Sequence, residues 1–163
     1  MQPSIKNLTE KKLIGKRLAM TFAENKTPEL WRGFMPRRNE IENAVNSDLI
    51  SMQVYTDAFD FNNFNPAISF EKWAVREVSN FDTVPYEMEI FTLPGGLYAV
   101  FNYKGLNTDT AIFKYIYGTW IPNSEFELDH RPHFEVLGAK YKNNEPDSEE
   151  EIWIPIKKRE NSF

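Results

Sequence analysis

Residues 148–157, SEEEIWIPIK, set three consecutive carboxylates before an indole and a regular alternation of isoleucine. In an extended chain alternate residues share a face, so Ile152, Ile154 and Ile156 point one way, toward a core. Glu151, Trp153 and Pro155 point the other way. A carboxylate beside an aromatic wall has two chemistries open to it: it can hold a cation by charge and ring quadrupole, or move a proton once burial has shifted its pKa. The competing reading makes Glu149, Glu150 and Glu151 the solvated end of an acidic loop and Trp153 a core indole, because acids mostly face water. Glu71 and Trp73 repeat the Glu-x-Trp pair earlier in the chain.

Other candidates are fewer. Phe113, Tyr117 and Trp120 recur at helical spacing, with Tyr115 off the stripe, and such stripes usually face a core. Tyr117 stands apart because a buried hydroxyl needs a partner. His130 and His133 are three apart, but Pro132 breaks helical geometry between them and no third ligand has metal spacing, so no metal site is expected. No nucleophile elbow, Walker loop or dinucleotide fingerprint occurs, and nothing calls for a cofactor.

Composition narrows the class. The chain of 163 residues has no cysteine, which removes disulfides, thiolate nucleophiles and cysteine-bound zinc. A formal charge of −5 argues against direct nucleic-acid binding, which needs clustered cations. Lys11, Lys12, Lys16, Arg17, Arg37 and Arg38 are the one candidate basic patch, read as solvated surface. The opening MQPSIKNLTEKKLIGKR has no apolar run fit for a signal peptide or membrane span, so a cytoplasmic protein with no membrane partner is expected. Aromatic residues make up 15% of the chain, more than a core of this size needs, which favours a binding surface for a planar ligand or a protein.

The elements that must carry these residues follow from period. A strand is predicted at 13–22. A helix opens with Thr27 as N-cap and Pro28 at its first position; its stripe is Leu30, Phe34, Ile41 and Val45, broken at Pro36. Strands at 49–56 and 70–78 flank an Asn- and Phe-rich loop, 57–69. After the linker SNFDTVPYE the pattern restarts: MEIFTLPGG turns into LYAVFNYKG, a helix lies near 108–120, and the strands HFEVLG and EEIWIPIK follow. Gly15 and Gly96 lie 81 positions apart, and Glu71/Glu151 and Trp73/Trp153 lie 80 apart. Shared order and spacing mark a duplication. The fold class expected is α+β: two βαββ modules with pseudo-twofold symmetry, antiparallel sheets with helices on one face, and a central ligand cleft. One domain is expected, with modules at about 5–80 and 86–158 and a frayed tail at 159–163.

The ordered trio LPGGLYAVFNYKG, YIYGTWIPNSEFELDHRPHFEVLG and EEIWIPIK resembles the GyrI-like, AraC-type effector-binding domain over nearly the whole chain. The resemblance implies an aromatic cleft between modules that takes up lipophilic, often cationic, small molecules. It further implies a cleft acid on the last strand before the Ile-Pro pair, here Glu151, with Trp153 as its aromatic neighbour. Trp73 is the symmetric counterpart of Trp153, and Tyr117, Trp120 and Trp31 are further candidates for the wall. Regulators of this kind usually carry a DNA reader, and the chain is expected to lack one and to act on transcription, if at all, through a protein partner.

Three functions compete. The first is a stand-alone protein that senses or sequesters a small amphipathic compound, with Glu151 selecting positive charge. The second is a hydrolase of reactive, cyclopropane-type natural products using the same acid as general base. The third, from the family's likeness to a small gyrase inhibitor, is a protein-interaction module. The presence or absence of turnover separates the first two.

Overall fold

Alternating apolar residues put most of the chain into strands. A computed structural model describes residues 2–61 and 63–160. Its strands are β1 (Ser4–Leu8), β2 (Lys11–Met20), β3 (Leu49–Tyr55), β4 (Phe70–Val78), β5 (Glu89–Leu93), β6 (Gly96–Lys104), β7 (Phe126–Leu128), β8 (His133–Leu137) and β9 (Glu149–Lys158). They form an antiparallel sheet of order β1-β6-β9-β8-β3-β4-β2-β5, with β7 pairing on β9. The unit β2-helix-β3-β4 is repeated as β6-helix-β8-β9, and the repeats meet where β3 pairs β8, Ser51 opposite Glu135. The fold is α+β, a duplicated βαββ sheet with its helices on one side.

The leading strand of each repeat pairs with the other repeat: β1 lies on β6 and β5 lies on β2. This forces curvature. In a flat sheet β1 and β2 would be six spacings apart, about 29 Å, yet only Thr9 and Glu10 join them, a link that reaches about 11 Å. The sheet therefore curls until its two edges approach. Inside the curl Leu13, Met52, Trp73, Val75, Tyr98, Val100 and Phe134 make a single core drawn from both repeats.

The outer face carries the helices. α1 (Thr27–Phe34) lays Leu30 and Phe34 over Ile14, Ala74 and Val78, covering β2 and β4. α2 (Ala111–Tyr115) continues through a π-turn at Ile116–Trp120 into α3 (Ile121–Asn123). Ile112, Ile116 and Ile121 pack on Ala99, Phe101, Ile152, Ile154 and Ile156, covering β6 and β9. Each fully buried isoleucine contributes about 2 kcal/mol of transfer free energy, which holds this lobe on the sheet.

Several expectations need adjusting. The first predicted strand, 13–22, runs as Lys11–Met20. Thr27 begins α1 as its first helical residue, Lys26 takes the N-cap position without a side-chain cap, and the Thr27 N–H donates to Asn25 Oδ1 at 3.0 Å. Pro36 ends the α-helix as expected, and Met35–Glu40 tighten into a 3₁₀ turn. Ile41 is buried, but Val45, placed on the same stripe, is exposed, because the chain has left helical periodicity by then. β1 and β7 were not anticipated, and of the predicted 159–163 tail, 161–163 lie outside the described residues.

Candidate functional site

Between the two helical lobes the sheet is uncovered by any helix, and there β3 and β8 turn polar side chains outward. Gln53 opposes Lys72 across β4 and His133 across β8, and Glu135 opposes Ile152 across β9. Glu150 is two residues from Ile152 on the same face, a diagonal neighbour of Glu135. The floor of this cleft is thus Lys72, Gln53, Glu135 and Glu150, on four adjacent strands.

The electrostatics set this floor apart. Gln53 is buried and donates from Nε2 to Glu135 Oε2 at 3.0 Å. Glu150 and Lys72, both half-buried, make no hydrogen bond and no close ion pair among the described residues. Burial, with the negative charge of Glu135 added, pushes the Glu150 carboxyl up to about 7, against a smaller opposing pull from Lys72. Burial also lowers the Lys72 ammonium, while Glu135 and Glu150 hold it partly up. Unpaired, partly desolvated charges in a cleft are the usual physical signature of a binding or catalytic site.

Aromatic groups form the wall. Tyr117 of the π-turn meets His133 Nδ1 at 3.0 Å, and burial pushes its phenol well above the usual range. His133 is driven down to about 3 by burial and by Arg131, so it is neutral at physiological pH. Tyr55 meets the His133 ring edge-on at 5.0 Å. Phe61, from the 57–69 loop, lies parallel to Tyr117 at 4.5 Å and to His133 at 5.3 Å. Tyr141 is raised by burial and then by Glu150 and Glu135. A cavity of about 500 Å³ is lined by Tyr55, Phe61, Tyr117 and His133 on the side of α3 and the β7–β8 connection; Lys72, Gln53, Glu135 and Glu150 lie outside it.

Of the ligand-binding candidates named from sequence, Tyr117 lies in this wall and the others do not; His133, weighed there as a metal ligand, lies in it as well. Glu151 and Trp153 point into the curl, away from the helices. Trp153 stacks on Phe134 at 5.1 Å and donates from Nε1 to Glu151 at 3.1 Å. The two line a separate, smaller cavity of about 180 Å³ with Glu77 and Asp48. The isoleucine face of β9 is the helix face; Glu150 shares it, whereas Glu151, one residue out of phase, faces the inner cavity. Trp73 is buried in the inner core with its Nε1 unpartnered among the described residues, and Glu71 is bound by Arg17. Trp120 packs edge-on to Phe101, and Trp31 edge-on to Phe34, its neighbour one turn on along α1.

The sequence did hold a signal for the missed residues. Lys72, Gln53, Glu135 and Glu150 are polar residues at positions whose parity assigns them to the same face as buried apolar neighbours. His130 and His133 do not converge, and among the described residues no group of three His, Cys, Asp or Glu is placed to hold a metal ion. The basic candidates Lys11, Arg17 and Arg37 are paired with Glu77, Glu71 and Glu89, and Glu40 and Glu87. Among the described residues no helix is long and apolar enough to cross a membrane.

The profile of the Cass2 family, integron-associated effector binding protein, matches residues 4–156. The chain belongs to that family. Solved structures share the fold at low identity. An integron cassette protein from the mobile metagenome of Vibrio cholerae is 14% identical with a TM-score of 0.68, covering 96% of each chain. SAV2435, solved bound to tetraphenylphosphonium, is 14% identical with a TM-score of 0.69, covering 96% of this chain and 94% of that one. A Listeria innocua hydrolase is 10% identical with a TM-score of 0.60, covering 96% and 92%. No curated protein matches the chain. The GyrI-like resemblance read from the motifs agrees with this family and with these folds.

Proposed function

We propose that this member of the Cass2 family binds an aromatic small molecule carrying a positive charge in the cleft between its helical lobes, and releases it unchanged. The observation that carries the reading is Glu150: a half-buried carboxyl with no hydrogen-bond partner among the described residues, beside Glu135 and facing Tyr103 and Tyr141. Aromatic faces supply affinity through burial, about 25 cal/mol per Å² of apolar surface. The carboxylates add preference for a cation, which would draw Glu150 into its charged form. The tetraphenylphosphonium bound by SAV2435, a lipophilic cation on the same fold, supports the reading.

Calorimetric titration with tetraphenylphosphonium tests it. Glu150→Gln weakens binding about tenfold or more, the scale of one lost charge contact in a partly desolvated site, while a neutral triphenyl analogue loses little. Equal losses for both compounds would sink charge selection.

A second reading has an observation in its favour. A carboxyl titrating near 7 is suited to act as general base on water, and one protein of this fold is a hydrolase. The mass of each bound compound after incubation separates the two: intact ligand supports the binder, and product in molar excess over protein supports the hydrolase.

A further inference from the structure

The floor of the cleft is not simply acidic. Lys72 stands on β4 at one side and Glu150 on β9 at the other, three strand spacings across and, by register, four residues along, about 19 Å at the backbone if the sheet were flat. Glu135 lies between them and is already engaged by Gln53. Lys72 and Glu150 are the two groups left without a hydrogen bond or close ion pair among the described residues. They are of opposite sign and lie at opposite ends of one aromatic-walled surface.

Glu135 and Glu150 are the charges that support Lys72, and a compact lipophilic cation would take up both while covering Lys72 with apolar surface and giving it no acceptor in exchange. Leaving a charge desolvated with its support withdrawn is the costly outcome. A ligand with an anionic or strongly accepting group beyond its cationic part would satisfy both ends. We infer that Lys72 is a specificity-determining residue, and that the cleft favours a planar aromatic zwitterion, cationic end toward Glu150 and Glu135 and anionic end toward Lys72, over a plain monocation. The inference rests on the cleft reading above and narrows it to a ligand class.

Two dyes of nearly the same shape make the test. Rhodamine 123 is the methyl ester and a monocation; rhodamine 110 is the free acid and a zwitterion at neutral pH. Affinities are read by fluorescence polarisation for the wild type, Lys72→Met and Lys72→Arg, after thermal melts establish that each variant is folded. The expected result is a wild type that prefers rhodamine 110. Lys72→Met shifts the ratio of the two affinities about tenfold toward rhodamine 123, the size of one uncompensated charge contact, and Lys72→Arg restores it. A ratio unmoved by Lys72→Met overturns the inference, whether both affinities fall together or neither changes. If rhodamine 123 is still weakened by Glu150→Gln in that case, the cleft stands as a cation site and only the role of Lys72 is lost. Failure of the wild type to bind either dye overturns the cleft reading and this inference together.

Discussion

Glu150 has its charge penalised twice, by lost water and by Glu135, with only Lys72 pulling the other way. Tyr103 and Tyr141 also face it, and both are neutral at physiological pH. With the carboxyl pushed up to about 7 from 4.5, the folded protein keeps a proton that the unfolded chain releases between those values. Its contribution therefore falls as pH rises from about 4.5 to 7 and is constant above. Glu150→Gln cannot titrate, so the melting temperature of the variant relative to wild type is expected to climb between pH 5 and 7.5 and then level off. A difference that stays constant with pH would show that Glu150 is not desolvated. This residue was nearly legible in the sequence. The acidic run and the last strand were both identified, but a run of three glutamates offers both parities. The Glu-x-Trp pair and the family resemblance both single out Glu151, on the face opposite the isoleucines. Strand alternation fixes which residues share a face; it does not say which face the helices cover, and that is settled by how the two repeats join.

At the scale of elements, β2 depends on a close approach. Gly15 pairs with Val75 of β4 and Glu89 of β5, and a methyl group there would overlap the Ala74 carbonyl oxygen and come within 2.7 Å of Val75 Cα. Both obstacles are backbone, so no side-chain rotation relieves them. Gly15→Ala is expected to cost about 2–3 kcal/mol, read from the denaturation midpoint. Gly118, in the π-turn, has open space where a methyl group would go, with nothing within 4 Å, and Gly118→Ala should be neutral or stabilise by up to about 1 kcal/mol. Comparable losses at both positions would mean that β2 does not approach β4 as described. Where period and punctuation were strong, elements were readable: Phe70–Val78 is the strand the sequence predicts, residue for residue, and Pro36 breaks the first helix. β1 was not, because in SIKNL only Leu8 is buried and the segment is a strand by pairing with β6 alone. β7, three residues long, likewise owes its form to β9.

For the whole molecule, the duplication was visible in Glu-x-Trp and its spacing, whereas the exchange of leading strands was not, since no local pattern records which repeat an edge strand joins. That exchange decides how the protein comes apart. Opening the first repeat strips β5 of its partner β2, and opening the second strips β1 of β6. The inner core would be cut as well, because Trp73 and Val75 pack in one cluster with Tyr98, Val100 and Phe134. Neither repeat keeps a complete sheet or core without the other, so the chain should unfold as one cooperative unit despite its twofold construction. Native-state hydrogen exchange tests this directly: the slowest amides of β2 and β4 should open with the same free energy as those of β6 and β9, within about 0.5 kcal/mol. Two plateaus separated by several kcal/mol would mean that one repeat survives alone. The cleft would then be built on a hinge, because its floor runs from Lys72 on one repeat to Glu150 on the other, and a ligand bridging those residues would have to hold the repeats together. A single level would instead make the cleft floor a fixed frame, its charges set in place before any ligand arrives.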